Sequence, residues 1–316
     1  MTSFYTVYGL SIESVIPLHG VLSSVERTDE ADVVIRRGEC SAEADYDPNY
    51  DHLEFGREKC FFYWANLGSM CLLEGREILL QPQTGVAEHL LRPFLISGAL
   101  PILLYQRDLL VIHASSVAMQ NDFELPGAVA FLGMSGQGKS TMATALVKSG
   151  HHPLSDDVIA VPVKSQIPRH NQNINFTPRV YAGPPHLKLR PPSLVAFNEN
   201  AQSLSRWGNI DESRVIPVVS PWITTPVPLR CLYSLEDGAS IRADLLEAED
   251  ALMKLSENSY GVRLLSGQEM GDNFLQCSQL VRSVPIFRLQ RPRDFKRLPD
   301  VVRFVEEHQK TLKITV

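Results

Sequence analysis

No uncharged apolar stretch in this sequence reaches the ~20 residues that a helix needs to span a bilayer. The longest, Pro93 to Gln106, is interrupted by Pro101 and reads as a buried helix, so no membrane partner is expected. The amino terminus MTSFYTVYGL has no basic region followed by an apolar core, which leaves the cytoplasm as the expected location. Positive charge is not in excess: 30 Lys and Arg against 36 Asp and Glu give a formal net charge of -6 and a pI near 5.9. Such a chain has no global field for nucleic acid, which is therefore not an expected partner. Cysteine is sparse, with 5 residues (Cys40, Cys60, Cys71, Cys231 and Cys277), no CxxC spacing and an odd total. Reduced thiols are the expectation. The 9 histidines form neither HExxH nor a Cys/His cluster, which gives a structural zinc site no support. An NKxD base-reading motif is missing, against a GTPase. LLSGQE, Leu264 to Glu269, lacks one glycine of the transporter-ATPase signature.

What is present is the composition of a soluble globular protein. Its 316 residues, 44% hydrophobic and 21% charged, leave room for one large domain or two smaller ones. The octapeptide GMSGQGKS, Gly133 to Ser140, fits the phosphate-binding pattern GxxxxGK[ST]. It follows an apolar run, Ala128 to Leu132, that reads as a buried strand, and it leads into STMATALVK, Ser140 to Lys148, that reads as a helix. Glycines at 133, 136 and 138 let backbone N–H groups converge on phosphate oxygens. Ser135 and Gln137 complete the loop and Thr141 follows it. Lys139 adds charge for the β- and γ-phosphates, the helix amino end adds positive potential, and the Ser140 hydroxyl is a Mg²⁺ ligand. ATP and Mg²⁺ are the expected cofactors.

Asp156 and Asp157 follow the loop helix at the mouth of a strand expected over Val158 to Val161. Adjacent strand-mouth carboxylates can face a metal and an incoming hydroxyl separately. On residue types alone an Asp-Asp surface turn is an equal alternative, and nearness to the loop motif favours function. In an empty site the mutual repulsion predicts a raised pKa for one of the two. His113 sits in LLVIHASSVAM, Leu109 to Met119, which reads as a core strand running toward the loop. Taken alone it also fits a histidine satisfied by a backbone carbonyl.

Strands alternate with turns over residues 1 to 88 (FYTVYGLSI, ADVVIRR, KCFFYWANL, SMCLLEGREILL), a strand-rich module followed by a second unit from 89 to 316. NDFELPG, from Asn121, is hinge-like. Pro162 to Pro228 is rich in Pro, Asn and Ser and reads as irregular or mobile. Within it Arg206, Arg214 and Lys188 are candidate contacts to an anionic substrate, although long basic side chains are usually solvated surface. Order returns with strands in PLRCLYSL, SIRADLL and VPIFRLQ and helices in EDALMKLSENSY, MGDNFLQCSQLVRSV and LPDVVRFVEEHQKTL. The expected class is mixed α/β, with parallel and mixed sheets left open.

Four segments carry a resemblance: IHASSV, FLGMSGQGKST, the Asp-Asp pair after a short helix, and YAGPPHLKLRPP. Together they resemble the carboxy-terminal kinase domain of the HPr kinase/phosphorylase family, and more closely its stand-alone branch that includes lasso-peptide precursor kinases. The resemblance covers about residues 89 to 316. It implies a kinase core related in its nucleotide site to phosphoenolpyruvate carboxykinase. The implied reaction is transfer of the γ-phosphoryl group of Mg·ATP to a serine hydroxyl of a peptide or protein. It implies Asp156 as base, Asp157 as metal partner with Ser140, Lys139 on phosphate and His113 at the transferred group, with the two aspartates open to exchange. The glycine-containing segment that follows the nucleotide site in true HPr kinases is missing, so phosphorolysis and HPr itself are not implied. HPr kinases assemble as hexamers, so a homo-oligomer is consistent with the resemblance, while the residues are silent on it. Two rival readings stand beside it: a non-catalytic nucleotide-dependent scaffold, and a small-molecule hydroxyl kinase.

Overall fold

The computed structural model describes residues 2–19, 22–26, 30–120, 127–163, 177–207, 212–218, 223 and 225–312. The hinge-like Asn121 segment lies almost wholly outside them, as does part of the Pro162 to Pro228 stretch.

Among the described residues, eight strands precede the first helix: β1 (Ser3–Val7), β2 (Leu10–Ser14), β3 (Ser23–Ser24), β4 (Val33–Arg37), β5 (His52–Glu54), β6 (Lys59–Trp64), β7 (Gly68–Leu73) and β8 (Glu77–Pro82). They form one sheet in the order β3-β1-β2-β4-β8-β7-β6-β5. Tyr8 and Gly9, at φ 53° and 75°, close the tight β1–β2 hairpin, a geometry that two-residue loops favour. The pairings β2–β4 and β4–β8 are parallel, the others antiparallel. Cys40 and Cys71 are joined by a disulfide across Cα atoms 5.6 Å apart, while Cys60, Cys231 and Cys277 are free and buried. The expectation of five reduced thiols is thus corrected for one pair: an odd total excludes a complete framework, not a single bridge.

The apolar stretch from Pro93 folds as expected of a buried helix, in three pieces: α1 (Arg92–Phe94), a π-helical turn Leu95–Ala99, and α2 (Leu100–Gln106). Pro101 stands directly after the π-helical turn, at the start of α2. Leu95, Leu100, Leu103 and Leu104 are fully or almost fully buried against Ile12, Ile35, Leu72 and Ile78 of the first sheet. Among the described residues no helix is long and apolar enough to cross a membrane.

Leu109 to Met119 divides at His113 into β9 (Leu110–Ile112) and β10 (Ala114–Met119). Next come β11 (Gly127–Leu132), α3 (Lys139–Lys148), β12 (His152–Ser155) and β13 (Ile159–Val161). The segment read as irregular contains β14 (Arg179–Val180), β15 (His186–Leu189), α4 (Pro191–Ala196) and β16 (Arg214–Pro217). The chain ends with β17 (Val227–Asp237), β18 (Arg242–Leu245), α5 (Ala248–Glu257), α6 (Gly267–Ser283), β19 (Ile286–Arg291) and α7 (Leu298–Thr311). The central sheet runs β12-β10-β11-β17-β19-β18, with β14 also on β17. Only β11–β17 and β17–β19 are parallel, so the sheet is mixed. One face packs on α5 and α6 through Leu255, Cys277 and Leu280. The other packs on α3 and α7 through Met142, Leu146, Val301 and Val305. This three-layer α/β arrangement leaves the β11–α3 junction at one end of the sheet.

Candidate active site

Every residue of β11 is buried, and the chain leaves it through a loop of positive-φ glycines: Gly133 at 150°, Gly136 at 85° and Gly138 at 91°. Gly138 caps α3 in the left-handed conformation, and a Cβ there would come within 2.8 Å of the Arg291 guanidinium. Two of the loop carbonyls are engaged by arginines. Arg293 Nη2 donates to Gly136 O at 2.6 Å and Arg291 Nη2 donates to Gln137 O. Gly133 N–H is held by Asn258 Oδ1 at 3.1 Å, and Arg190 Nη2 donates to Ser135 Oγ at 3.0 Å.

Lys139, only 7% exposed, folds back so that Nζ donates to Gly133 O at 2.7 Å. Burial lowers its pKa to about 8, although Asp157 and Asp156 oppose that shift. Ser140 and Thr141 stand in the first turn of α3, Thr141 Oγ1 lying 2.8 Å from Ser193 Oγ of α4.

Across from the loop, the turn between β12 and β13 presents Asp156 and Asp157. Asp157 takes the left-handed conformation at φ 78°, which parts the two carboxylates. Asp156 points inward, 6% exposed, accepting from Ser115 Oγ at 2.6 Å and from the Lys188 backbone N–H at 2.7 Å. Asp157 faces Lys188, whose ammonium bonds Oδ2, and His113, whose Nδ1 is 3.4 Å from Oδ1. The expected raised carboxyl pKa is not found at Asp157. Burial alone would raise it, but the Lys188 ammonium, then His113 and Lys139, outweigh burial and hold it below the ordinary value. The residues that prevent the repulsion come from elsewhere in the chain.

His113, at the break between β9 and β10, is fixed by its backbone N–H to Asn258 O at 2.7 Å. Its Nδ1 lies 2.8 Å from the carbonyl of Asp157, so that nitrogen carries the proton and Nε2 keeps its lone pair. Burial, then Lys139, lowers its pKa, which keeps the ring neutral.

A cavity of about 540 Å³ is lined by His113, Ser135, Gly136, Gln137, Gly138, Lys139, Ser140, Thr141 and Asp157. Of the sequence-predicted residues only Gly133, at the base of the loop, and Asp156 stand behind this wall. Lys188, weighed from the sequence and set aside, lines the same cavity, as do Arg190, Ser193, Trp207, Arg291 and Arg293, which sequence reasoning missed. The alternation in HLKLR, placing His186, Lys188 and Arg190 on one strand face, was the available signal for two of them. Lys188 was read as solvated, yet its side chain is only 14% exposed. Among the described residues no group of three or more His, Cys, Asp and Glu is placed to hold a metal. A Mg²⁺ ion would instead need the oxygens of Ser140 and Asp157 together with those of a phosphate, a donor set suited to that ion. The cradle and its ring of cations fit a polyphosphate.

No protein-family model matches the chain, and no curated protein matches it. Among solved structures it is similar to the Hpr(Ser) kinase/phosphatase from Coxiella burnetii at 13% identity and a TM-score of 0.31, over 63% of this chain and 96% of that one. A likeness that slight carries no functional weight.

Proposed function

We propose that the chain is an ATP-dependent kinase that phosphorylates a serine hydroxyl of a peptide or protein, on a phosphate-loop core of the HPr kinase type. One observation carries the reading: the glycine loop with its buried Lys139, and the Asp157–His113 pair, line one cavity. The acceptor class, with lasso-peptide precursors as its named example, rests on the sequence resemblance.

The loop amides and the α3 amino end bind the polyphosphate, and Lys139 leaves the Gly133 carbonyl for the β- and γ-oxygens. Arg190, Arg291 and Arg293 surround the same anion. When bound, Mg²⁺ supplies charge neutralisation of the phosphate oxygens, and Ser140 and Asp157 would hold it. Asp157 lines the cavity and Asp156 stands behind its wall, so the contact with the acceptor hydroxyl falls to Asp157, and Asp156 is its positioning residue. Asp157 aims the hydroxyl oxygen at the γ-phosphorus and accepts its proton, while neutral His113 fixes the Asp157 backbone. Fixed dipoles and cations then stabilise charge spread over the transferring group.

The test is incubation of the chain with Mg·ATP and serine-bearing precursor peptides, reading phosphoserine by mass spectrometry. Acceptor-dependent turnover is expected. Nucleotide binding without it would leave the scaffold reading, and a phosphorylated small molecule in place of phosphoserine would give the small-molecule kinase.

A further inference from the structure

Neither the glycine-loop motif nor the acidic pair points to Lys188, yet it touches both acids. Its backbone N–H holds Asp156 Oδ2 at 2.7 Å and its ammonium pairs with Asp157 Oδ2. The same ammonium lies 3.3 Å from Ser97 Oγ, on the π-helical turn, and 5.1 Å from the centre of the Trp207 ring. The position is fixed by β15, where Lys188 lies opposite Val215 of β16. Asp157 is the carboxylate on the cavity wall with Ser140, so a divalent ion arriving there meets an oxygen that already has a cation on it.

We propose that Lys188 is the built-in counter-ion of the acidic pair: it occupies the metal's place on Asp157, and loading a divalent ion displaces the ammonium from that carboxylate and leaves it on Ser97 and the Trp207 ring. The inference rests on the kinase reading of the same cavity. Two cations sharing one half-buried carboxylate repel each other strongly where water is scarce. The hydroxyl and the aromatic face, which the ammonium already touches, hold it once the ion has taken Asp157. Lys188 therefore keeps the carboxylates apart and correctly aimed before loading. It also weakens metal binding until a phosphate oxygen adds its own charge.

The experiment measures Mn²⁺ binding to the full chain from its electron paramagnetic resonance signal, alone and with ADP. It compares wild type with Lys188→Gln, Lys188→Arg and Asp157→Asn, with folding checked by circular dichroism. Lys188→Gln should bind Mn²⁺ about tenfold more tightly, since it removes a like charge from the ion's seat. Lys188→Arg, which keeps the charge, should stay near wild type, and in an Asp157→Asn background the Gln substitution should have no effect. Unchanged or weaker Mn²⁺ binding in Lys188→Gln, equal effects of Gln and Arg, or no Mn²⁺ binding by any variant would each overturn the proposal. If Lys188→Gln fails to fold, Lys188→Met keeps the stem against Trp207 and takes its place. Failure of the wild type to bind ADP in the absence of metal sinks the kinase reading instead, whereas ADP binding with a Mn²⁺ affinity that Lys188→Gln does not move sinks only this inference.

Discussion

At the scale of single residues, the site is governed by how burial and charge share the ionisable groups. With Lys139 at about pKa 8 before nucleotide arrives, its ammonium is present below that pH and lost above it. Polyphosphate binds the charged form. ADP affinity should therefore hold steady up to about pH 7 and weaken as pH rises through about 8 to 9, and Lys139→Met should both lower the affinity and remove the slope. Titration of a fluorescent ADP derivative across that range checks it. The two aspartates should separate. Asp156→Asn leaves one acceptor oxygen for two donors, Ser115 and the Lys188 amide, a deficit of about 1–3 kcal/mol that a lowered melting temperature would report. Asp157→Asn should keep ADP binding and lose phosphoryl transfer, read in the same peptide assay. The glycine loop, the acidic pair and His113 were legible because each lies in a local pattern. Lys188, Arg291 and Arg293 were not, because a long basic side chain is solvated by default and only distant packing buries it.

At the scale of elements, the β11–loop–α3 unit was legible for the same reason, and so were the closing helices with their apolar faces. β12 was not: its four residues include Pro153, tolerated because β12 lies at the sheet's edge. The strands and short helix between Arg179 and Pro217 were also missed, since four-residue strands and a helix opened by two prolines leave no periodic run. Gly138→Ala tests the loop directly, because a methyl group there meets both a forbidden φ and the Arg291 guanidinium. It should sharply weaken ADP binding. Gly150→Ala, at φ 101° with open space around it, should cost only about 1 kcal/mol of stability and leave binding intact. The Cys40–Cys71 bridge, joining residues 31 apart, predicts three reactive thiols in the denatured unreduced protein and five after reduction. Cys71→Ser should lower stability by about 2–4 kcal/mol in a denaturant titration.

At the scale of the whole molecule, the strand content of the first eighty residues was legible but its pairing was not. β2, β4 and β8 align in parallel across long loops, which no local alternation encodes. The mixed character of the central sheet was left open for the same reason. The core of the first sheet also runs past residue 88, through α2 to Val158, Ala160 and Trp207. Leu104→Ala, at a fully buried position, should cost about 2–5 kcal/mol by denaturation.

The β1–β2 hairpin reaches farther still. Tyr8 N–H bonds Ala182 O at 2.6 Å, and its hydroxyl donates to Val158 O at 3.2 Å, directly beneath the acidic pair. The turn that carries the acidic pair is therefore braced by the β1–β2 hairpin. A version lacking the first sheet would lose that brace together with the apolar cover of α2, so it should accumulate as inclusion bodies when expressed.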